Sequence, residues 1–265
     1  MTRRRLDAEL VRRGLAASRT EAQDAVRAGL VLVRGTPATK AATMVAEDEP
    51  VALNGPARRF VSRGGEKLQA ALDRFGLDPS GLDCLDAGAS TGGFTDCLLQ
   101  AGASRVAALD VGYGQLAWDL RNDDRVTVME RTNVRTLQAD DLPFAPQMIV
   151  ADLSFISLRL VVDALVRVST PEAVFVMLVK PQFEAGPADV GSGGVVRDAA
   201  VWRRVLGETV HAFEAAGAIA QAVMASPVRG PAGNVEFLLL ARRGATPAPV
   251  DLDRAVSEGE EVRTR

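Results

Sequence analysis

The sequence has few cysteines and no long apolar segment. Cys84 and Cys97 are its two cysteines, and their spacing matches no metal-binding or redox motif. We therefore expect both to be buried as small apolar side chains. The longest unbroken apolar run, 173–179, is too short to span a bilayer, and the first residues lack the apolar core of a secretory signal. These absences argue against a disulfide-stabilised secreted protein and a helical membrane protein, and we expect a cytoplasmic location.

Lysine is also scarce, since only Lys40, Lys67 and Lys180 stand among 31 basic residues. Because arginine carries the remaining positive charge, we interpret each lysine as a candidate position where arginine does not substitute. The charge is unevenly distributed: residues 1–63 hold 12 arginines and lysines against seven acidic residues, whereas the whole chain has a net charge of −3. This asymmetry indicates a basic module attached to an acidic enzyme body.

The first part of the chain has the pattern of a small α+β domain. Apolar residues recur at helical spacing over 6–16, and a second helix is predicted to begin at Ser18; the apolar runs 30–33 and 51–53 predict short strands. Two helices followed by strands, with arginines on the helices, resemble the alpha-L RNA-binding domain of a ribosomal small-subunit protein and many pseudouridine synthases. The resemblance implies an RNA-binding domain over 1–57 whose arginines neutralise phosphates. A solvated arginine-rich helix face would explain the charge alone.

Beyond a predicted linker over 58–61, strands and helices alternate. This alternation predicts a doubly wound, Rossmann-like α/β domain with a parallel sheet over 62–243. The predicted strands are 82–87, 105–110, 126–130, 147–152, 173–179, 219–225 and 234–241, and the predicted helices are 65–75, 94–101, 115–121, 158–167 and 199–215. The remaining residues, 244–265, are rich in acidic side chains and poor in apolar ones, and we predict a disordered tail there.

The segment 82–95 predicts a strand, a glycine loop and a helix, which is a typical site for a nucleoside cofactor. A dinucleotide fingerprint would need glycine where Ser90 stands. Asp86 ends the strand, and its carboxylate would repel a pyrophosphate but would suit the positive charges of S-adenosylmethionine. Asp110 ends the next strand, where a carboxylate can accept hydrogen bonds from both ribose hydroxyls, a feature shared with NAD enzymes. The predicted cofactor residues are Asp86, Gly88, Ser90, Thr91, Gly92, Gly93, Phe94, Asp110, Val111, Asn133 and Asp152.

Four charged residues form a candidate catalytic cluster. Asp152 and Lys180 each follow an apolar strand, Glu236 interrupts a late apolar strand, and Lys67 lies on the helix before the first strand. A charged side chain within such a run needs a partner, because an unpaired buried charge is costly. Each residue alone has an ordinary structural explanation, as a loop cap or a solvated side chain. Together they can form a Lys-Asp-Lys-Glu cluster.

Five motifs, at 86–94, 110–116, 152–158, 180–184 and 230–236, resemble the TlyA family. Its members are ribosomal RNA cytidine 2′-O-methyltransferases, historically labelled haemolysins, and the catalytic domain is similar to the FtsJ class of ribose methyltransferases. The resemblance implies S-adenosylmethionine as cofactor, ribosomal RNA in small or large subunits as partner, a link to capreomycin sensitivity, and Lys67, Asp152, Lys180 and Glu236 as the catalytic tetrad. The predicted RNA contacts are Arg3, Arg5, Arg19, Lys40, Arg63 and Arg131. One departure is Phe60, since the family linker often has a tryptophan.

A ribose 2′-hydroxyl is a weak nucleophile, so its methylation needs a base or strong acceptor and in-line alignment with the sulfonium methyl. Lys180 would be this base if it can release its proton, with Asp152 and Glu236 orienting the two amines. We expect a monomer that needs no metal. Two alternatives have other functions: a ribosome-assembly factor that keeps the cofactor fold with little catalysis, and a membrane-lytic haemolysin.

Overall fold

The computed structural model describes residues 3–16, 19–54 and 59–264. The chain divides into two compact units, Met1–Arg59 and Phe60–Arg265. Two predicted features, the start of the second helix at Ser18 and the start of the linker at Arg58, lie outside the described residues.

The N-terminal unit is a small α+β domain, as predicted. Its elements are β1 (Arg3–Arg5), α1 (Leu6–Arg12), α2 (Arg19–Arg27), β2 (Val31–Val33), β3 (Thr36–Pro37), β4 (Met44–Ala46) and β5 (Val51–Leu53). Strand β1 pairs antiparallel with β4, and β2 pairs antiparallel with both β3 and β5. Leu6 and Leu10 on α1 and Ala22 and Val26 on α2 share one core. Their four-residue spacing gives each helix one apolar face.

The C-terminal unit alternates strands and helices, which confirms the predicted Rossmann-like α/β domain. Its helices are α3 (Arg63–Phe75), α4 (Gly93–Gln100), α5 (Trp118–Arg121), α6 (Val162–Val168), α7 (Pro181–Glu184), α8 (Ala199–Ala215) and α9 (Leu252–Thr264). Its strands are β6 (Asp83–Ala87), β7 (Arg105–Leu109), β8 (Val126–Met129), β9 (Met148–Ala151), β10 (Val174–Val179), β11 (Ala218–Ala225) and β12 (Phe237–Arg243). They form one sheet in the order β8-β7-β6-β9-β10-β12-β11.

One strand corrects the prediction of a parallel sheet. The neighbours from β8 to β10 are parallel, but β12 runs antiparallel to both β10 and β11. Residues 226–236, which join β11 to β12, form turns and extended segments. Parallel neighbours need a crossover of a dozen or more residues, usually a helix, so this short connection produces an antiparallel pair. As a result, the start of β12 lies at the same edge of the sheet as the ends of β9 and β10.

The strand order reverses between β6 and β9. The chain proceeds from β6 outward to β8 and then returns to β9 on the other side of β6. In open α/β sheets, ligands bind outside the carboxyl ends of the strands at such a reversal. The fold therefore places the candidate site where β6 and β9 end.

Helices cover both faces of the sheet, and each face has its own apolar core. Consecutive strand residues point to opposite faces: Cys84 packs in the same cluster as Leu68, and Leu85 packs in the cluster that contains Trp202. Cys97 belongs to the first of these clusters. Both cysteines are buried and free, which confirms their predicted role as core residues.

The end of the chain contradicts the predicted disordered tail over 244–265, because Leu252–Thr264 forms α9. An oxygen of Asp251 accepts a hydrogen bond from the backbone N–H of Arg254 at 2.9 Å and caps the first turn. Ala255, Gly259 and Val262 are buried in a helical stripe, and Gly259 allows close contact with the ring of Phe237. The acidic residues occupy the other faces of this helix.

The predicted linker over 58–61 also needs correction, because Phe60 and Val61 belong to the C-terminal unit. Phe60 is buried in its core, and a Cβ on Gly65 would lie 2.3 Å from Cγ of the ring. The backbone N–H of Val61 donates to Oδ2 of Asp96 at 2.8 Å. An aromatic ring at position 60 therefore packs on the start of α3.

Candidate active site

The register of the sheet brings three of the four predicted catalytic residues to one edge. Asp152 follows β9, Lys180 follows β10, and Glu236 directly precedes β12 rather than lying within it as predicted. Val179 is paired with Phe237 in the last pair of the β10–β12 ladder. Positions 180 and 236 are therefore the next neighbours beyond that pair.

Helix α3 supplies the fourth residue, Lys67, and forms a buried ion pair with the sheet edge. Nζ of Lys67 donates to Oε2 of Glu236 at 2.5 Å, and the two side chains are 8% and 1% exposed. A Cβ on Gly230 would lie 2.6 Å from Oε1 of Glu236, so the turn before β12 can approach the carboxylate only with glycine there. Removing one partner of such a buried pair costs about 3–5 kcal/mol, because it leaves an unpaired charge.

Lys180 and Asp152 form a second ion pair at the same edge. Nζ of Lys180 lies 2.5 Å from Oδ1 of Asp152 and donates to Oγ of Ser154 at 2.8 Å. The lysine side chain is 10% exposed and the aspartate 24% exposed. An ammonium group has three N–H donors, and the bond to Ser154 orients one of them while Asp152 pairs with the charge.

Three further residues beside Lys180 were not predicted as site residues. Ser154 is the hydroxyl partner of its amine. Phe155 has φ of 64°, a left-handed conformation that is unusual for a bulky residue, and its side chain is 91% exposed. Its ring contacts the ring of Phe183, with centroids 5.1 Å apart. The strained backbone therefore holds an aromatic ring out into solvent next to the ion pair.

The glycine loop after β6 forms at the predicted place. Backbone N–H groups of Gly88 and Ala89 both donate to the carbonyl of Leu109, at 2.8 and 3.0 Å, which ties the loop to the end of β7. Gly88 has φ of 85°, and a Cβ there would lie 2.9 Å from the carbonyl oxygen of Asp152. Only glycine allows the loop to approach the residues that follow β9 so closely.

Asp86 is fully buried within β6. Its Oδ2 accepts hydrogen bonds from the backbone N–H and hydroxyl of Thr95, at 2.9 and 2.7 Å, whereas its Oδ1 has no partner among the described residues. Burial raises the pKa of Asp86 to about 7; the bonds from Thr95 oppose this rise, and the negative charge of Asp152 adds to it. An unsatisfied buried acceptor is costly, so a ligand with an N–H group or positive charge fits this position.

Asp110 lies beside a small pocket at the end of β7. Its two oxygens accept hydrogen bonds from the backbone N–H groups of Ser90 and Gly112, at 2.8 and 2.7 Å. Gln115 and Glu130 also line the pocket. Each carboxylate oxygen can accept more than one hydrogen bond, so Asp110 remains able to bind hydroxyl groups of a ligand.

Three of the predicted cofactor residues also pack against neighbouring elements. A Cβ on Gly92 would lie 2.3 Å from a methyl group of Leu120, and one on Gly93 would lie 2.2 Å from Oγ of Ser62. Phe94 is buried in the core. Because α4 begins at Gly93, these positions already face neighbouring helices, and their small or apolar side chains serve that packing.

The remaining predicted cofactor residues lie around the loop. The carbonyl of Thr91 accepts from the backbone N–H of Ala117 at 3.2 Å. Val111 is exposed at the mouth of the strand-end loop. Oδ1 of Asn133 accepts from the backbone N–H of Arg135 at 3.0 Å and caps a short turn. The structure thus brings Ser90 and Asp110 to the pocket and gives the Asn133 side chain a local contact.

The model of the FtsJ-like methyltransferase family matches residues 60–243, and the model of the S4 domain matches residues 4–51. The first match covers more than half of the chain and contains both ion pairs and the glycine loop. The chain belongs to the FtsJ-like methyltransferase family. The second match covers the α+β unit that carries the basic residues.

Relatives of this methyltransferase match it over nearly its whole length. It is 48% identical to the "16S/23S rRNA (cytidine-2'-O)-methyltransferase TlyA" of Mycobacterium tuberculosis, over 97% of this chain and 98% of that protein. It is 38% identical to the "Hemolysin A" of Brachyspira hyodysenteriae, over 88% and 98%. A solved structure from Streptococcus thermophilus, provisionally described as a hemolysin, has a TM-score of 0.83 and 37% identity and covers 100% of this chain and 98% of its own. The methyltransferase is therefore a member of the TlyA family.

The six side chains predicted to contact RNA are all exposed: Arg3, Arg5, Arg19, Lys40, Arg63 and Arg131. Arg5 and Arg19 both contact the carboxylate of Asp7. The guanidinium of Arg131 stacks 4.4 Å from the ring centre of Tyr113. Exposed arginines of this kind can bind phosphates while their other contacts hold them in place.

Among residues 3–16, 19–54 and 59–264, no helix is both long and apolar enough to cross a membrane. Within the same ranges, no group of three His, Cys, Asp or Glu side chains is placed to hold a metal ion.

Proposed function

We propose that this methyltransferase transfers the methyl group of S-adenosylmethionine to the 2′-hydroxyl of a cytidine ribose in ribosomal RNA. The observation that carries the proposal is the pair of ion pairs, Lys67–Glu236 and Lys180–Asp152, at the sheet edge beside the glycine loop. Both lysines are nearly buried, but the partner of Lys67 is 1% exposed, whereas Asp152, the partner of Lys180, is 24% exposed. This arrangement offers a fixed charge and an amine that can contact a substrate.

The residues at the loop fit S-adenosylmethionine, which supplies an electrophilic methyl group on a sulfonium when bound. The unpaired Oδ1 of Asp86 would suit the positive end of this cofactor, through its ammonium group. Asp110 would accept hydrogen bonds from the ribose hydroxyls. The loop thus combines a nucleoside-binding acid with an anionic neighbourhood that disfavours a pyrophosphate.

The chemistry then depends on Lys180. A ribose hydroxyl becomes a better nucleophile when its proton can move to an acceptor during the reaction. Nζ of Lys180 is positioned by Asp152 and Ser154, and in its neutral form it can accept this proton. Lys67, held by Glu236, would supply a fixed positive charge at the same site.

The exposed ring of Phe155 supports an RNA substrate whose target nucleotide is unstacked. Unpaired bases in RNA bind by stacking on aromatic side chains. The ring lies one residue from Ser154, the partner of Lys180, so a stacked base would place its ribose near the amine. Cytidine and ribosomal RNA as the target are supported by the mycobacterial relative, and the S4 match supports RNA contacts by the N-terminal unit.

The test is transfer of a tritium-labelled methyl group from S-adenosylmethionine to small and large ribosomal subunits, assayed separately. We expect labelling of RNA in at least one subunit and none with the Lys180→Ala variant. Cofactor binding without transfer to either subunit would contradict the proposal and favour a role in ribosome assembly.

A further inference from the structure

Asp7 is a buried carboxylate that accepts hydrogen bonds from two arginines and one glutamine, which belong to two other elements of the N-terminal unit. Its side chain is fully buried at the start of α1. Arg5 of β1 contacts it with a two-pronged bond, Nε to Oδ1 at 3.1 Å and Nη2 to Oδ2 at 2.8 Å. Nη2 of Arg19 and Nε2 of Gln23, both on α2, donate to Oδ2 at 3.2 and 3.0 Å.

The arginines themselves remain accessible. The side chains of Arg5 and Arg19 are 46% and 57% exposed, although both contact a carboxylate that solvent does not reach. Hydrogen bonds, that from Arg5 first, hold the pKa of Asp7 well below its usual range despite its burial. The carboxylate therefore stays charged and keeps two guanidinium groups side by side.

A second buried carboxylate, Glu9, differs in what its arginines do. It accepts from Arg12 and Arg13, and the guanidinium of Arg13 also donates to the carbonyls of Glu47 and Glu49, at 2.9 and 2.8 Å. The guanidinium of Arg13 therefore joins the end of α1 to the β4–β5 turn and stabilises the fold of this unit. The contacts described for Arg5 and Arg19 reach only Asp7 among acidic residues, and no backbone carbonyl.

We propose that Asp7 is a positioning residue that holds Arg5 and Arg19 as a preformed pair for the phosphates of RNA. The inference rests on the proposed RNA-binding role of the N-terminal unit. Flexible arginines lose side-chain freedom when they bind, and a carboxylate that has already ordered them removes part of this cost. The buried negative charge of Asp7 thus strengthens RNA binding because it orders the two arginine side chains.

The experiment compares Asp7→Asn with Asp48→Asn in the full-length protein, with binding to purified ribosomal subunits measured over a series of salt concentrations. Asp48 is exposed in the β4–β5 turn, and no described arginine pairs with it. Both changes remove one negative charge. If only the loss of a negative charge mattered, both variants would bind RNA as tightly as the wild type or more tightly. We expect Asp7→Asn to bind roughly tenfold more weakly, as expected for side chains that lose their preordering, whereas Asp48→Asn should not weaken binding.

The second readout is the energetic coupling between Asp7 and Arg19 in RNA binding. Arg19→Gln should weaken binding and lower the salt slope by about one unit for each lost phosphate contact. The same substitution should cost less in the Asp7→Asn background, because its effect depends on Asp7. If Asp7→Asn binds as tightly as the wild type, or if Arg19→Gln costs the same in both backgrounds, Asp7 is not a positioning residue.

Two further comparisons show whether the RNA-binding role of the N-terminal unit fails or only the positioning role of Asp7. If Arg19→Gln changes neither affinity nor salt slope, the proposed RNA-binding role of this unit fails, and the inference fails with it; if only Asp7→Asn is without effect, the inference alone fails. Should Asp7→Asn unfold the unit, Arg5→Lys makes the test, because it keeps all charges and loses the two-pronged bond. Arg4→Lys is its matched control, and equal effects of the two lysine variants would overturn the proposal.

Discussion

Replacing Lys180 by arginine separates a proton acceptor from a fixed positive charge. Arginine keeps the charge and can still pair with Asp152, but it cannot lose a proton in a protein. The amine of Lys180 is held by Asp152 and Ser154 at 2.5 and 2.8 Å. If this amine accepts the ribose proton, Lys180→Arg should lose the base contribution, roughly 10²–10⁴-fold in rate. That loss corresponds to about 3–5 kcal/mol in the activation barrier.

The assay is single-turnover methylation of purified ribosomal subunits, which isolates the chemical step from product release. Lys67→Arg is the comparison variant, because it makes the same exchange at the other lysine of the candidate catalytic cluster. Lys67→Arg should keep part of the activity, since its partner Glu236 needs only a positive charge opposite it. Cofactor and RNA affinities should stay near the wild-type values in the Lys180→Arg protein. A rate within about tenfold of wild type would refute the base role and leave Lys180 as an electrostatic contact.

Three other predictions address the cofactor loop and the C-terminal helix. Asp110→Ala should weaken S-adenosylmethionine binding by about 1.5–3 kcal/mol, and unchanged affinity in calorimetry of the folded variant would contradict the cofactor role. Because the folded protein raises the pKa of Asp86 to about 7, above its unfolded value, the favourable contribution of this group is complete below about pH 4 and is lost as the pH rises through about 7. Urea unfolding should therefore show a decline in wild-type stability over this range that is smaller in Asp86→Asn; an equal decline in both would refute it. Removing residues 245–265 should lower the melting temperature, since it uncovers Phe237 and the buried face of β11, whereas an unchanged melting temperature would show that α9 adds nothing to the fold.

The sequence predicted the sheet well because its strands are short apolar runs that end at charged residues. The run 173–179 became β10, and the residue after it, Lys180, is at the sheet edge as predicted. The pairing of these four charged residues was predictable for the same reason, since an isolated charge next to a buried strand needs a partner. Helix α8 matched the predicted range 199–215, because its apolar residues recur at a clear helical period.

Features that depend on distant packing were not predictable. The helix α9 has few apolar residues, such as Ala255 and Val262, among charged ones, and the contact of Gly259 with Phe237 is one that a local pattern does not reveal. The packing of Gly93 against Ser62 was not predicted, because a glycine loop and a close helix contact need the same residue type. The antiparallel direction of β12 follows from the length and shape of its connection, and periodicity carries no information about direction.

Residues whose role is to support another side chain also escaped the sequence analysis. Ser154 was part of a recognised motif, but nothing in the motif predicted that its hydroxyl contacts Lys180. Gly230 approaches the carboxylate of Glu236 through a turn that cannot be inferred from composition. The left-handed backbone conformation of Phe155 exposes its ring, and this conformation cannot be read from the sequence.

The identity of the methylated nucleoside decides whether this protein is a cytidine 2′-O-methyltransferase. Ribosomal subunits that lack the modification are incubated with the purified protein and labelled S-adenosylmethionine, and the RNA is digested to nucleosides and analysed by mass spectrometry. The label should appear in 2′-O-methylcytidine and disappear with Lys180→Ala. Label on a base, label on the ribose of another nucleoside, or full labelling by the Lys180→Ala variant would contradict it.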